Sequence, residues 1–188
     1  MPLQDDAPIV PGTGYLYLAD PDTAKPTDIT DPLNPGAPWV NFGHTSREEM
    51  PEFGRDGDDP TTIGSWQNSK LRQTSPDVTY SLTFQSVQST VDTYQLYFGA
   101  GPEKIQGDGS FRIPATPTPQ IKALLMILVD GSSFLPLWHP RTSLLGSDAI
   151  SLDVENFVSY PITGTFLGST LLDGDIGEWA AILPASSS

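Results

Sequence analysis

Apolar and polar positions alternate with a clear period only beyond about the first third of the chain. Val78, Tyr80, Leu82 and Phe84 interleave with Thr79, Ser81, Thr83 and Gln85, the pattern of a strand buried on one face. Residues 121–129 are apolar on both faces, as expected for a central strand covered by two layers. Asp130-Gly131 follows as a hairpin signal and returns the chain through Phe134, Leu137 and Trp138. Ile150, Leu152 and Val154 alternate with Ser151, Asp153 and Glu155, which predicts a further strand with a phase slip, hence a bulge, at Asn156-Phe157. Residues 158–167 continue as a strand in which Pro161 favours an edge or bulge position. Residues 63–74 predict a strand of imperfect alternation, and Phe111 and Ile113 a brief one. One helix is expected: Ser89 or Thr90 can cap it, Gly99 closes it, and Val91, Tyr94 and Phe98 fall on one face.

The first 60 residues are different. Eight prolines between Pro2 and Pro38 break them, leaving strand candidates only at 13–19 and 39–43. Proline fixes φ and removes a donor, so such a segment runs extended over other surfaces. Residues 1–12 read as an N-terminal arm that orders on assembly, and 184–188 as a frayed tail. Residues 44–62 form a long polar stretch holding Met50 and Phe53 without local apolar partners, which points to docking elsewhere. The economical architecture is a single mainly β domain spanning 1–188: two packed sheets, one flanking short helix, a long inter-strand loop and an extended arm.

Composition narrows the functional classes. The 188 residues suffice for one domain with a real core. Cysteine is absent, which excludes disulfides, thiol catalysis and thiolate metal sites. The opening MPLQDDAPIV lacks a basic or apolar signal region, and the longest apolar run, 123–129, is too short to cross a bilayer as a helix; a protein made and kept in a cytoplasm, off the membrane, is expected. Net charge is −14, and residues 1–60 hold 12 acids against Lys25, Arg47 and Arg55. No basic patch is available to neutralise phosphates, so specific nucleic-acid binding is not expected.

Catalytic chemistry finds little support. His44 and His139 lie far apart in sequence, and a structural or solvated role fits each better than catalysis. Nucleophile-elbow, phosphate-loop and zinc spacings are missing. Asp56, Asp58 and Asp59, and Asp173, Asp175 and Glu178, are clustered carboxylates without the spacing of a calcium loop, and turn acids explain them. No enzyme activity, cofactor or metal is expected.

Three stretches carry a resemblance: GHTSREEMPEFGRDG (43–57), GSWQNSKLRQT (64–74) and VSYPITGTFLG (158–168). Together, in this order, they resemble the major tail proteins of siphoviruses that infect actinobacteria. The resemblance implies a β-sandwich or barrel of the phage tail-tube type, forming rings, six-membered in that family, that stack into the conduit for DNA ejection. The implied partners are further copies of the chain, the tape measure protein and the tail terminator and tip proteins, with viral DNA passing through the lumen unbound. The implied location is the virion tail, assembled in the host cytoplasm. Some relatives carry a C-terminal immunoglobulin-like domain; ending at Ser188, this sequence gives no support for one.

In that family the loop between two inner strands reaches the next ring. The matching segment is 44–62, with Arg47, Glu48, Glu49, Met50, Phe53, Arg55 and Asp56 as candidate ring-stacking residues. Asp153 and Glu155 share the solvent face of their predicted strand and are candidate lumen-facing acids that would repel phosphate. Two other readings stand beside this one: a head decoration or tail terminator protein, and a β-sandwich carbohydrate-binding module using Trp39, Trp66, Trp138 or Trp179 as stacking platforms.

Overall fold

The longest apolar run becomes a central strand. In the computed structural model, which describes residues 3, 7–27 and 29–184, β7 (Gln120–Asp130) and β8 (Ser133–Gly146) make a long antiparallel hairpin with Asp130 opposite Ser133. Gly131 takes φ 55° in the turn, a left-handed conformation open to a residue without Cβ. β1 (Thr13–Ala19) pairs along the other side of β7, and β2 (Val40–Asn41) along β1. Beyond β8 come β9 (Tyr160–Phe166), β6 (Thr79–Ser86) and β3 (Glu52–Asp56), giving the order β2-β1-β7-β8-β9-β6-β3. β10 (Glu178–Trp179) and β11 (Leu183–Pro184) also pair with β8. Among the described residues these strands make one continuous sheet, while β4 (Thr61–Ile63) and β5 (Arg72–Thr74) form a separate two-stranded one.

β8 changes neighbours half-way along. Its first half pairs with β7 on one side and β10 and β11 on the other; from Thr142 its outer neighbour is β9. The switch falls at a bulge, where β8 advances from His139 to Thr142 while β7 moves only from Leu124 to Lys122. Pro140 sits in the bulge, a place where a missing N–H breaks no ladder bond. The Pro140 carbonyl accepts from Asp22 N–H at 2.9 Å and the Arg141 carbonyl from Leu167 N–H at 2.9 Å.

Past the bulge the sheet folds over itself. Leu82, Phe84, Leu144, Ile162 and Phe166 then meet Leu16, Leu124, Met126 and Leu137 in one buried cluster, joined by Leu96 of α1 (Val91–Phe98). The opposite face of β7, with Ala123, Leu125 and Ile127, packs with Tyr17, Ile29, Trp39 and Trp138 in a second. β7 is therefore buried on both faces, as its apolar run predicts. The proline-broken segment covers the second cluster: Tyr17 OH donates to the Pro32 carbonyl at 2.7 Å and Trp138 Nε1–H to that of Thr23 at 3.1 Å. The expected mainly β fold with a short helix is present.

Several expectations need correction. Residues 63–74 are not one strand but the β4–β5 hairpin, because Ser65 and Asn68 close a turn through Ser65 N–H to Asn68 O at 2.7 Å. Residues 44–62 are not a free loop, since β3 lies inside them, paired with β6 from Glu52↔Thr83 to Asp56↔Thr79. The predicted strand and bulge at 150–157 are loop, held by a lone bridge between Ser151 and Ser159. Phe111 also makes only a bridge, to Ile105, and Trp39–Gly43 shrinks to β2.

The helix has the expected caps, Thr90 accepting from Thr93 N–H and Gly99 left-handed, but it buries Thr93 and Leu96 rather than the Val91, Tyr94 and Phe98 face. The Thr93 hydroxyl can go inward because Ser86 and Thr90 hydroxyls lie 3.1 and 3.2 Å away. Of the expected arm, residues 1, 2 and 4–6 lie outside the described residues; nearer the sheet, Val10 N–H bonds the Asp130 carboxylate at 2.9 Å and Gly12 N–H the Val129 carbonyl at 3.0 Å. Of the expected frayed tail, 185–188 lie outside the described residues, while Pro184 ends β11.

Burial separates two kinds of isoleucine. Ile127→Ala should lower the unfolding free energy by about 2–5 kcal/mol in urea titrations, whereas exposed Ile63→Ala should change it by less than about 0.5 kcal/mol.

Candidate assembly surface

The β4–β5 hairpin leaves the sheet between β3 and β6. Every residue from 55 to 75 is exposed. Leu71 N–H bonds the Ile63 carbonyl at 3.0 Å and Lys70 N–H the Asn68 side chain at 3.0 Å, so the finger has an ordered tip. Its apolar side chains are uncovered: Ile63 is 54% exposed, Leu71 65% and Trp66 100%. A two-stranded hairpin with no core beneath it is marginal in water. Between residues 60 and 76 the only charges are Lys70 and Arg72. The finger is thus net-positive on a chain of charge −14.

The sequence-proposed stacking residues divide into two groups. Arg47, Glu48, Glu49 and Met50 are exposed on the turn before β3, where Glu49 accepts a hydrogen bond from Gln85. Arg55 and Asp56 are exposed at the end of β3, opposite Tyr80 and Thr79. Phe53 does not belong with them. Its ring lies 5.2 Å from Trp179, 6.1 Å from Phe166 and 6.4 Å from His139, so it has the partners that the local sequence seemed to deny it. The missed element is the finger at 57–78. Its one signal was Trp66 among polar residues, in GSWQNSK.

Phe53, Tyr80, Phe166, Ile176 and Trp179 wall an open, largely apolar cleft of about 340 Å³ with His139 at its side. His139 is 3% exposed and its ring is stacked on Phe166 at 3.6 Å. Its Nδ1 lies 3.0 Å from the Ile176 carbonyl. A carbonyl only accepts, so Nδ1 carries the proton and Nε2 is left as an acceptor. Nε2 is buried and meets no donor among the described residues. Gly177 makes the approach possible, since a Cβ there would fall 2.3 Å from Nδ1. Burial pushes the imidazole pKa below its ordinary 6.5, outweighing the carbonyl bond that raises it.

A second exposed surface is the 147–158 loop. Leu152, Val154 and Phe157 all point into solvent there. Asp153 and Glu155 are on this loop and not on a strand face. The Asp153 carboxylate folds back to accept from Glu155 N–H at 3.1 Å and Asn156 Nδ2 at 2.7 Å, and these bonds lower its pKa. The alternation that suggested a strand belongs to a turn whose apolar side chains find no sheet to cover. Of the four tryptophans, Trp39 and Trp138 are core residues.

Comparison with known proteins adds the decisive observation. The sequence model of the family described as "Phage tail tube protein" matches residues 1–181. The chain belongs to the phage tail tube protein family. It is 34% identical over 173 residues to the major tail protein Gp23 of Mycobacterium phage D29, covering 87% of this chain and 86% of that protein. It is 32% identical to the Gp23 major tail protein of Mycobacterium phage L5 over the same length and shares. This tail tube family member is thus a structural component of a phage tail, and its relatives come from viruses of actinobacteria, as the three sequence blocks implied.

His139 gives the tail tube protein a pH signature. Its folded pKa is depressed, so its contribution to stability is complete above the unfolded value of about 6.5 and is lost as pH falls through the lower folded value. Urea titrations between pH 7 and pH 5 should show the wild-type chain losing more stability than His139→Gln. The difference in slope should reach at most about 1.4 kcal/mol per pH unit, the value for one proton.

Proposed function

We propose that this chain polymerises as stacked, six-membered rings into the tail tube, with the β4–β5 finger as the element that joins one ring to the next. The observation that carries the proposal is the finger itself: an ordered, exposed hairpin with Ile63, Trp66 and Leu71 uncovered and two cations, Lys70 and Arg72, that form no salt bridge among the described residues. Such a surface gains most by being buried against another copy, and a polymer supplies one for every subunit. The end of β3 at Arg55 and Asp56 adjoins the base of the finger and would extend the same contact, while the turn at Arg47–Met50 lies at the other end of β3, beside Gln85. The edges of the sheet, at β3 and at β2 with the stretch of β1 that β2 leaves uncovered, carry backbone groups that neighbours within a ring can pair.

The tube so built would be the conduit for DNA ejection, with the tape measure protein inside it during assembly in the host cytoplasm and the terminator and tip proteins at its ends. An acidic wall would let DNA slide without sticking, and Asp153 and Glu155 would serve there as exposed loop acids.

Two experiments test this reading. Replacing residues 61–74 by a short Gly-Ser turn should leave the far-UV spectrum and unfolding midpoint nearly unchanged, while negative-stain microscopy shows no tubes. Long tubes from the shortened chain would exclude the finger as the stacking element. Exchanging Asp153 and Glu155 together for lysine should permit assembly but slow genome release from virions. Ejection at the normal rate would remove that pair from the lumen.

A further inference from the structure

The finger and the cleft are complementary in three independent respects. The first is shape and polarity. Trp66 is a wholly exposed bicyclic apolar side chain, and the cleft walled by Phe53, Tyr80, Phe166 and Trp179 is an unfilled, largely apolar space of about 340 Å³. That is the small end of the range for ligand pockets, about 300 Å³ upward, and suits one aromatic side chain. The second is hydrogen bonding. An indole has one N–H donor and no acceptor, and His139 at the cleft wall holds a buried acceptor, Nε2, that meets no donor among the described residues. The third is charge. Lys70 and Arg72 flank the finger tip, while the segments that wall the cleft, 52–56 and 175–179, carry Glu52, Asp56, Asp175 and Glu178 against Arg55 and the Lys25 that pairs with Glu178.

We propose that the cleft of one subunit receives Trp66 from the finger of another, with the indole N–H donating to His139 Nε2. The seating rests on the tube reading above and adds to it a receptor for the finger. The occupant comes from a second copy, because Trp66 is fully exposed in its own chain and so touches no part of its own cleft. Nε2 is covered in the free subunit, so the hydrogen bond requires the cleft wall to yield. Trp179, 57% exposed at the rim, is the side chain with room to turn aside. A buried acceptor with no donor destabilises the free subunit and is relieved only on assembly, which biases the equilibrium toward the polymer. Tryptophan in a desolvated pocket is also the commonest kind of interface anchor.

The test is polymerisation measured by sedimentation and negative-stain microscopy across subunit concentration. Each variant is first checked by circular dichroism and urea unfolding. Trp66→Ala should raise the concentration needed for tubes by about 30-fold or more, and Trp66→Phe, which keeps the ring but removes the N–H, by about tenfold. In a His139→Phe background, which keeps a ring to stack on Phe166, Trp66→Phe should make no further difference. A p-benzoylphenylalanine at position 66 should cross-link in tubes to the 52–56, 80 or 175–179 segments of another copy. Tubes from Trp66→Ala at the wild-type concentration, or cross-links confined to other segments, would overturn the seating while leaving the tube reading intact. Wild-type protein that never forms tubes would overturn both.

Discussion

The molecule depends on one long strand keeping two sets of neighbours. β8 runs for 14 residues, and among the described residues no other strand bonds to both halves of the sheet. Its first half belongs to the layer of β1, β7, β10 and β11, and its second to that of β9, β6 and β3. Only because the bulge at Pro140 and Arg141 turns the strand between those halves can Leu82 and Phe84 lie over Leu124 and Met126. The bulge needs its own polar partners, and distant parts of the chain supply them. Asp22 gives a backbone N–H to Pro140, a carboxylate oxygen to Arg141 at 2.8 Å and the other to the Ser169 hydroxyl at 2.6 Å. Asp22 holds φ 59° to do so, a conformation unusual for a residue with a Cβ. The irregular N-terminal segment is therefore tied to the place where the sheet bends.

His139 stands one residue before that bend, and its environment follows from it. The strand must pass inside the second turn of the chain at Ile176 and Gly177, which puts the imidazole under the sheet surface and against Phe166. A leucine there would be easier to bury. Histidine leaves an acceptor without a donor, a conflict in an otherwise consistent core, and conflicts of that kind concentrate where proteins meet ligands or partners.

The fold was legible where burial enforces a period. β1, β6, β7, β9 and the helix caps all follow from patterns in which an apolar face must meet a core. The pattern misled where alternation had no core behind it. Ile150, Leu152 and Val154 alternate as cleanly as β6 does, yet their loop is exposed, because periodicity records the residues and not the presence of a layer to receive them. In 63–74 the imperfect alternation was itself the trace of a turn at Ser65–Asn68. Phe53 looked unpartnered because Phe166, His139 and Trp179 lie more than 80 residues away along the chain. The assembly surface was legible only as a region: its sequence blocks identified the family, but the finger needed the pairing of β4 with β5 to be seen. The cleft could not be read at all, since its walls come from β3, β6, β8, β9 and β10.

Charge bears directly on the role proposed for the finger. Each subunit carries −14, so the proposed tube would gather like charge with every ring, and a uniform surface would oppose its growth. Salt at physiological strength screens that repulsion beyond about 8 Å, leaving contacts at shorter range to decide whether rings join. At that range the chain is not uniform. Its exposed finger, 60–76, is a stretch of 17 residues with two bases and no acids. In the proposed assembly an acidic body with a basic finger would favour approaches that bring the finger to an acidic wall. Acidity that keeps free subunits apart in solution is thus compatible with growth, provided that each new contact puts a finger against a carboxylate-bearing wall.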